Sequence, residues 1–449
     1  MAKKKLVSGG RIATVDPKIG TIEGDILIDG DVIVAVGRVE DKDSAGSEII
    51  DATDMIAMPG FVDVHRHTWQ SAIRHRNGDR HGEDYFQDVL FTIAPRYTAD
   101  DVYIGTLLGA LGAIDAGTTT LFDWAHIQNT PAHADAGIRA LKESGLRAVF
   151  GHGSGQIDPM AWNVDSRVPH SEDLRRVQAE HFSTPGLVSL AMAARGPEQT
   201  DDATWRRDLD LARDLGIPTS MHVGVGERGP EHRAVTRMHQ AGELGDDMIF
   251  LHLNTCSDQE MAYIAESGAQ VSMGIQVETV SQGTGAIPTD RMLAAGLRPS
   301  LSSDTETMGS GDMFTQVRLA LSEYRLKSGT GQNVPGSPST LSTDDALRMG
   351  TQSGADALGL GSLTGSISPG KQADIVLIDA SSVNLAPVTD PVGAIVLAAH
   401  PGNVDTVLVA GKVLKRYGEL VGIDWDALRA AAVESSARVT RVDGDPAAR

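Results

Sequence analysis

His65 and His67 close the apolar run Ala57-Met58-Pro59-Gly60-Phe61-Val62-Asp63-Val64, two imidazoles two residues apart. Side chains alternate along a strand, so such a pair points to one side. If that side is the mouth of a barrel, the two nitrogens can share one metal ion. A His-x-His pair alone is weak, because two histidines this close arise by chance in many chains. Further donors close other apolar or β-branched runs: His222 in Ser220-Met221-His222, His252 in Leu251-His252, and Asp304 in Ser302-Ser303-Asp304. Histidines and an aspartate meeting on one axis make a nitrogen and oxygen site suited to a borderline metal such as zinc, with a position left for water. Any one of them singly reads as well as a hydrogen-bonded core histidine or a capping aspartate. Jointly that reading fails, since buried imidazoles and carboxylates in an apolar interior cost several kcal/mol unless paired or metal-bound.

The elements that must position these residues are legible from pattern. Eight candidate strands run Phe61 to His67, Thr118 to Trp124, Arg147 to Gly153, Leu187 to Ala194, Pro218 to Val223, Met248 to Asn254, Ala269 to Ile275 and Arg298 to Asp304. Between them lie longer Ala- and Leu-rich stretches of helical period, the form of repeated βα units. Eight such units predict an α/β fold with a (β/α)8 TIM-type barrel over 57–366, and catalytic groups in this architecture sit at the C-terminal strand ends. The donors above close strands one, five, six and eight.

Short β-type runs at Lys5-Leu6-Val7, Arg11 to Val15, Gly24 to Gly30 and Val32 to Gly37 predict a small antiparallel sheet within 1–56. Strand runs return at Ala373 to Asp379, Val392 to Leu397 and Val404 to Lys412, so that 367–425 completes one β-sandwich with the N-terminal part. The segment 426–449 holds a terminal helix, read over Asp424 to Thr440, and a frayed acidic tail from Val442. Lys327 to Ser342, rich in Gly, Ser and Pro, reads as a surface loop in preference to a flap at the mouth.

Composition narrows the classes. At 449 residues, a large barrel with an appended domain or two ordinary domains are the reasonable options. A net charge of −21 without a long basic run argues against a nucleic-acid groove. No apolar stretch reaches bilayer length, which excludes membrane insertion. The basic start Met1-Ala2-Lys3-Lys4-Lys5 meets no apolar h-region, and a cytoplasmic protein is expected. The single cysteine, Cys256, excludes an internal disulfide or thiolate cage and reads as a buried free thiol. His232 and His239 read as a solvated helix face, His75 and His81 as part of the loop after strand one, and His126 as a residue that could line a pocket.

The chain resembles the amidohydrolase superfamily, in the branch holding cytosine and guanine deaminases, adenosine-type deaminases and triazine hydrolases. The likeness runs nearly end to end. It is carried by Pro59 to His67, by Ala346-Leu347-Arg348-Met349-Gly350-Thr351 with Gly354 to Gly359, and by Gly365-Ser366-Ile367-Ser368-Pro369-Gly370-Lys371-Gln372-Ala373-Asp374-Ile375-Val376. It implies one zinc or iron ion bound by His65, His67, His222 and Asp304, with His252 touching the metal-bound water. Ala193-Ala194-Arg195-Gly196 offers no lysine at the end of strand four, so a carbamate-bridged two-metal site is not expected. Gln70 matches a glutamine that contacts substrate in triazine and guanine-type members, and Trp69 either stacks on a flat ring or packs against its own loop. A homodimer or larger homo-oligomer and a small-molecule substrate are further implications.

One departure stands out. Deaminating members carry a glutamate three residues after the strand-five histidine as proton shuttle, and here that position is Val225, which cannot act as an acid. Glu227 and Glu278 are the candidate replacements, each equally readable as a solvated loop residue. The leading expectation is a hydrolytic deaminase of a nitrogen heterocycle. In it the metal lowers the pKa of water, Asp304 accepts the water's proton and passes it to ammonia, and His252 stabilises the adduct. A second reading keeps the metal but displaces halide or alkoxide, or runs a lyase or isomerase step. A third is a non-catalytic scaffold.

Overall fold

The computed structural model describes residues 4–79, 82–281 and 283–441, so that His81 and the tail from Val442 lie outside the described residues. Parallel strands Phe61–Arg66, Thr118–Ala125, Arg147–His152, Val188–Ala194, Thr219–Val223, Met248–His252, Gln270–Met273 and Ser300–Leu301 pair in chain order, and the expected TIM-type barrel is present. Parallel strands covered by helices are buried on both faces and therefore read as continuous rather than alternating runs. The first three strands are buried at every residue.

The eighth strand returns to the first through the site residues themselves. Arg66 and Asp304 form a parallel bridge. The Asp304 N–H donates to the His65 carbonyl at 2.9 Å, the His67 N–H donates to the Asp304 carbonyl at 2.9 Å, and the Ser303 N–H donates to Asp63 Oδ1 at 3.0 Å.

Strands from both ends of the chain form one nine-stranded sheet: Lys5–Ala13, Thr21–Asp29, Val32–Gly37, Glu48–Asp51 and Met55–Pro59 join Ile375–Asp379, Val404–Val409, Lys412–Arg416 and Glu419–Leu420. The N-terminal part is mixed rather than antiparallel, because Lys5–Ala13 runs parallel to both Glu48–Asp51 and Met55–Pro59. The apolar run Ala57 to Val64 spans two strands that belong to different sheets. Met55–Pro59 pairs antiparallel with Ile375–Asp379, and after Gly60 the chain enters barrel strand one. A Cβ at Gly60 would lie 2.1 Å from Thr119 side-chain atoms, so the crossing needs glycine.

Two further expectations are corrected. Val392 to Leu397 is part of the helix Pro391–Leu397, not a strand. Asp390 accepts from the Val392 N–H, Pro391 takes the first turn, and Val392, Ile395 and Val396 are buried at helical spacing, which a short β-branched run conceals. Lys327 belongs to the helix Met313–Gly329, and the loop begins after it. That loop is a surface connection tied to its own helix, with the Tyr324 hydroxyl donating to the Pro338 carbonyl at 2.5 Å and Arg325 donating to the Leu341 carbonyl.

The terminal helix Trp425–Thr440, capped by Asp424, packs on the helix Ala99–Asp115 and on the 3-10 turn Thr68–Ile73. Asp101 of the former accepts from Ser435 at 2.7 Å and pairs with Arg438. Among the described residues no helix is long and apolar enough to cross a membrane.

Candidate metal centre at the barrel mouth

Strand ends one, five, six and eight bring their polar residues to one point. His65 Nε2 lies 3.2 Å from His222 Nε2 and 3.3 Å from Asp304 Oδ1, and His67 Nε2 lies 3.5 Å from the same oxygen. The donor atoms of His65, His67 and Asp304, and those of His65, His222 and His252, lie within 4.8 Å of one another. Two ligands about 2.1 Å from an ion at a tetrahedral angle stand roughly 3.4 Å apart, so these separations fit a single small cation.

Each ring is held by what its other nitrogen meets. His67 Nδ1 donates to the Trp124 carbonyl at 2.9 Å, which fixes the tautomer and leaves the Nε2 lone pair facing Asp304. His65 Nδ1 is buried and has no hydrogen-bond partner among the described residues, so its orientation depends on what its Nε2 meets. Burial first, and neighbouring imidazoles second, hold His65, His67 and His222 well below the ordinary histidine range. They are therefore neutral near pH 7, the form that can ligate a metal.

His252 differs. Burial pushes it down, but the hydrogen bond and charge of Glu278 outweigh burial, with Asp304 and Glu198 adding, and its net shift is upward. Both His252 and Asp304 adopt left-handed backbone, φ 74° and 60°. Non-glycine residues hold that conformation at a cost of order 1 kcal/mol or more, which places both side chains where a regular strand would not.

The other residues singled out from sequence fall into three groups. His126 joins the cluster: its ring centroid lies 4.2 Å from that of His67, and burial pushes it down to about 4. Gln70 is buried and engaged, donating to the Tyr85 hydroxyl at 2.6 Å and accepting from Thr305, the residue after Asp304. Trp69 is fully buried with Ile73, Tyr85 and Val89, edge-on to Tyr97 and His126, so the packed alternative describes it and not an open stacking face. Glu278 is buried with both oxygens occupied, Oε1 by His252 and the Gly274 N–H and Oε2 by Asn254. Glu227 is exposed at the N-terminal end of the helix Arg228–His232. Cys256 is a buried free thiol.

Sequence reasoning missed three residues. Trp124 packs edge-on against His222 at 4.3 Å and lends His67 its carbonyl; its place at the end of strand two was the available signal. Tyr85 ends the short helix Gly82–Tyr85, whose four residues give no periodic cue. Glu198, after strand four, is 5% exposed and accepts the Gly224 N–H at 2.6 Å. Beneath the cluster, Arg66 is clasped by Glu306 at 3.1 Å and Asp63 at 3.6 Å, and Arg74 holds Glu306 at 2.8 Å.

A parallel barrel whose strand ends gather neutral imidazoles and a carboxylate at metal-ligand separations has the architecture of the metal-dependent barrel hydrolases. The chain belongs to the amidohydrolase family, whose model matches residues 56–414. It is similar to a 5-methylthioadenosine/S-adenosylhomocysteine deaminase of Acetivibrio thermocellus, at 27% identity over 449 residues, covering 97% of this chain and 99% of that one. A 5'-deoxyadenosine deaminase of Methanosarcina mazei is 27% identical over 450 residues, with 97% and 99% covered. Among solved structures, an adenosine deaminase of Xanthomonas campestris with bound zinc superposes with a TM-score of 0.85 at 24% identity, over 98% of this chain and 99% of that one.

Proposed function

We propose that this protein is a metal-dependent aminohydrolase that releases ammonia from an amino-substituted nitrogen heterocycle, with His65, His67, His222 and Asp304 holding one zinc or iron ion. The observation that carries this is the 3.2 and 3.3 Å spacing of His65 Nε2 from His222 and Asp304, in a setting that keeps the imidazoles neutral. Relatives named for deaminating 5-methylthioadenosine, S-adenosylhomocysteine and 5'-deoxyadenosine, spanned almost end to end, support an adenine nucleoside as the substrate class.

A bound ion supplies Lewis acidity and a nucleophilic water at neutral pH. Asp304 takes a proton from the attacking water and returns it to the departing amine. His252, its ring fixed by Glu278, offers Nε2 to the oxygen and stabilises the charge that develops there. His126 and Trp124 wall the space beside His67 and limit the access of bulk water. A cytoplasmic homodimer or larger homo-oligomer belongs to the same reading; sedimentation checks the oligomer.

The test is ammonia release from 5'-deoxyadenosine, 5-methylthioadenosine, S-adenosylhomocysteine and a panel of aminated pyrimidines, pterins and triazines. Release that chelation abolishes and zinc restores is the expected result. Silence across the panel with metal bound overturns it and favours the second reading, displacement of halide or alkoxide, which Val225 supports because such groups leave without a proton.

A further inference from the structure

The strand-five turn poses a chemical problem. Water cannot add to an aromatic amidine carbon unless the ring nitrogen gains a proton, and Val225 supplies none. Of the carboxylates near the strand ends, Asp123 keeps a buried Oδ2 without a partner but is bound through Oδ1 to Thr68 and not to the strand-five turn, and the others are committed. Glu278 has both oxygens bonded, Asp63 accepts from Ser303 and pairs with Arg66, and Glu306 is held by Arg66, Arg74 and Ser71. Glu227 is exposed.

Glu198 is different. Strand four ends at Ala194, and the chain turns through Gly196 at φ 68°. That turn is fixed from outside, with Arg237 donating to the Pro197 carbonyl at 3.0 Å and Arg228 to the Glu198 carbonyl at 2.6 Å. The side chain then crosses to strand five, where Oε1 accepts the N–H of Gly224, the residue immediately before Val225 and two after His222. Oε2 has no hydrogen-bond partner among the described residues. Arg228, Glu260 and His252 act on this carboxylate electrostatically, and it acts in turn on the Cys256 thiol.

We propose that Glu198 is the catalytic residue that carries the ring-nitrogen proton, reaching from strand four into the place left by Val225. The inference rests on the aminohydrolase reading above. In the addition step the water oxygen bonds to the amino-bearing carbon, one water proton passes to Asp304, and the Glu198 carboxyl gives its proton to the ring nitrogen. In the collapse step the carbon–amine bond breaks, Asp304 protonates the amine to ammonia, and the adduct hydroxyl returns its proton to Glu198 as the carbonyl forms. Atoms balance as heterocycle plus water giving the oxo product plus ammonia. Burial, opposed by the Gly224 hydrogen bond and Arg228, pushes the Glu198 carboxyl up to about 7, which keeps a proton available near neutrality.

The experiment compares wild type, Glu198→Gln, and Glu198→Gln combined with Val225→Glu, following kcat, its pH profile, bound metal and Tm. In Glu198→Gln, kcat is expected to fall about 10²-fold or more with metal and Tm unchanged, and to lose the alkaline decline that deprotonation of Glu198 imposes. Adding Val225→Glu restores at least part of the rate, which a merely structural Glu198 would not allow. A Glu198→Gln rate within about threefold of wild type, or a loss that Val225→Glu does not rescue, overturns the proposal. If wild type releases no ammonia from any heterocycle, the aminohydrolase reading fails separately. Difference infrared spectroscopy then decides Glu198: a carboxylic-acid band near neutral pH that vanishes in Glu198→Gln retains it as a proton-carrying group, and the lack of such a band overturns it.

Discussion

Glu278 stands directly behind His252, its Oε1 2.9 Å from Nδ1, and the same oxygen accepts the Gly274 N–H at 2.8 Å. One carboxylate thus ties the end of strand six to the loop after strand seven and sets which nitrogen of His252 faces the centre. Outer partners of this kind are worth about 10- to 100-fold in activity or metal affinity. Glu278→Gln is expected to lower kcat by that factor with little change in KM, measured on protein of matched metal content. An unchanged kcat would release His252 from its assigned role.

Asp304→Asn is expected to abolish turnover while leaving the barrel folded, since its backbone, not its carboxylate, forms the seam with His65 and His67. Circular dichroism and the melting curve check the fold, and ammonia release checks the loss. Normal turnover in this variant would remove Asp304 from proton transfer.

Acid sensitivity follows from histidines buried in neutral form. Burial pushes His126 and His152 down to about 4, while in the unfolded chain both titrate near 6.5. Their contribution is full above pH of about 6.5 and is lost as pH falls toward 4, because the unfolded state takes up protons that the folded state refuses. Each is worth up to about 3 kcal/mol. Urea midpoints should fall steadily from about pH 7 to about pH 5, and His152→Gln, which lies outside the metal cluster, should flatten that slope.

Gly105→Ala should disturb the site from the helix behind it. A Cβ there would stand 2.3 Å from the Trp69 carbonyl oxygen, a backbone atom that cannot rotate away. The expected cost is about 1–3 kcal/mol of stability, with reduced activity because the turn carrying Gln70 must move. Tm and kcat report the two effects separately.

Removing Glu306 should cost more. Glu306→Ala leaves the buried Arg66 guanidinium without its closer carboxylate partner, and such a loss typically costs about 3–5 kcal/mol. Chemical denaturation measures it, and the Arg66→Met, Glu306→Leu pair should recover much of the loss.

The barrel was legible because its strands, buried on both faces, stand out as apolar runs and because their ends carry the polar residues. His65, His67, His222, His252 and Asp304 could be gathered on paper for that reason alone. Val392 to Leu397 reads as a strand because six apolar and small residues, three of them β-branched, satisfy a strand and two helical turns equally. Met55–Pro59 goes unread as a strand of the other sheet because a glycine between apolar residues signals neither a break nor a sheet boundary. Glu198 was invisible because its relation to Val225 is made across two strands, by a turn whose side-chain direction no sequence spacing encodes.

The junction at Gly60 also bears on the order in which this protein is made. Met55–Pro59 leaves the ribosome early, yet its antiparallel neighbour Ile375–Asp379 is synthesised only after the whole barrel. The lead-in to the first histidines therefore stays half-paired through most of translation, an exposed edge that a nascent-chain chaperone or a premature neighbour could capture. The sheet strand that leads into barrel strand one, and so toward His65, gains its second neighbour only when Ile375–Asp379 has been made.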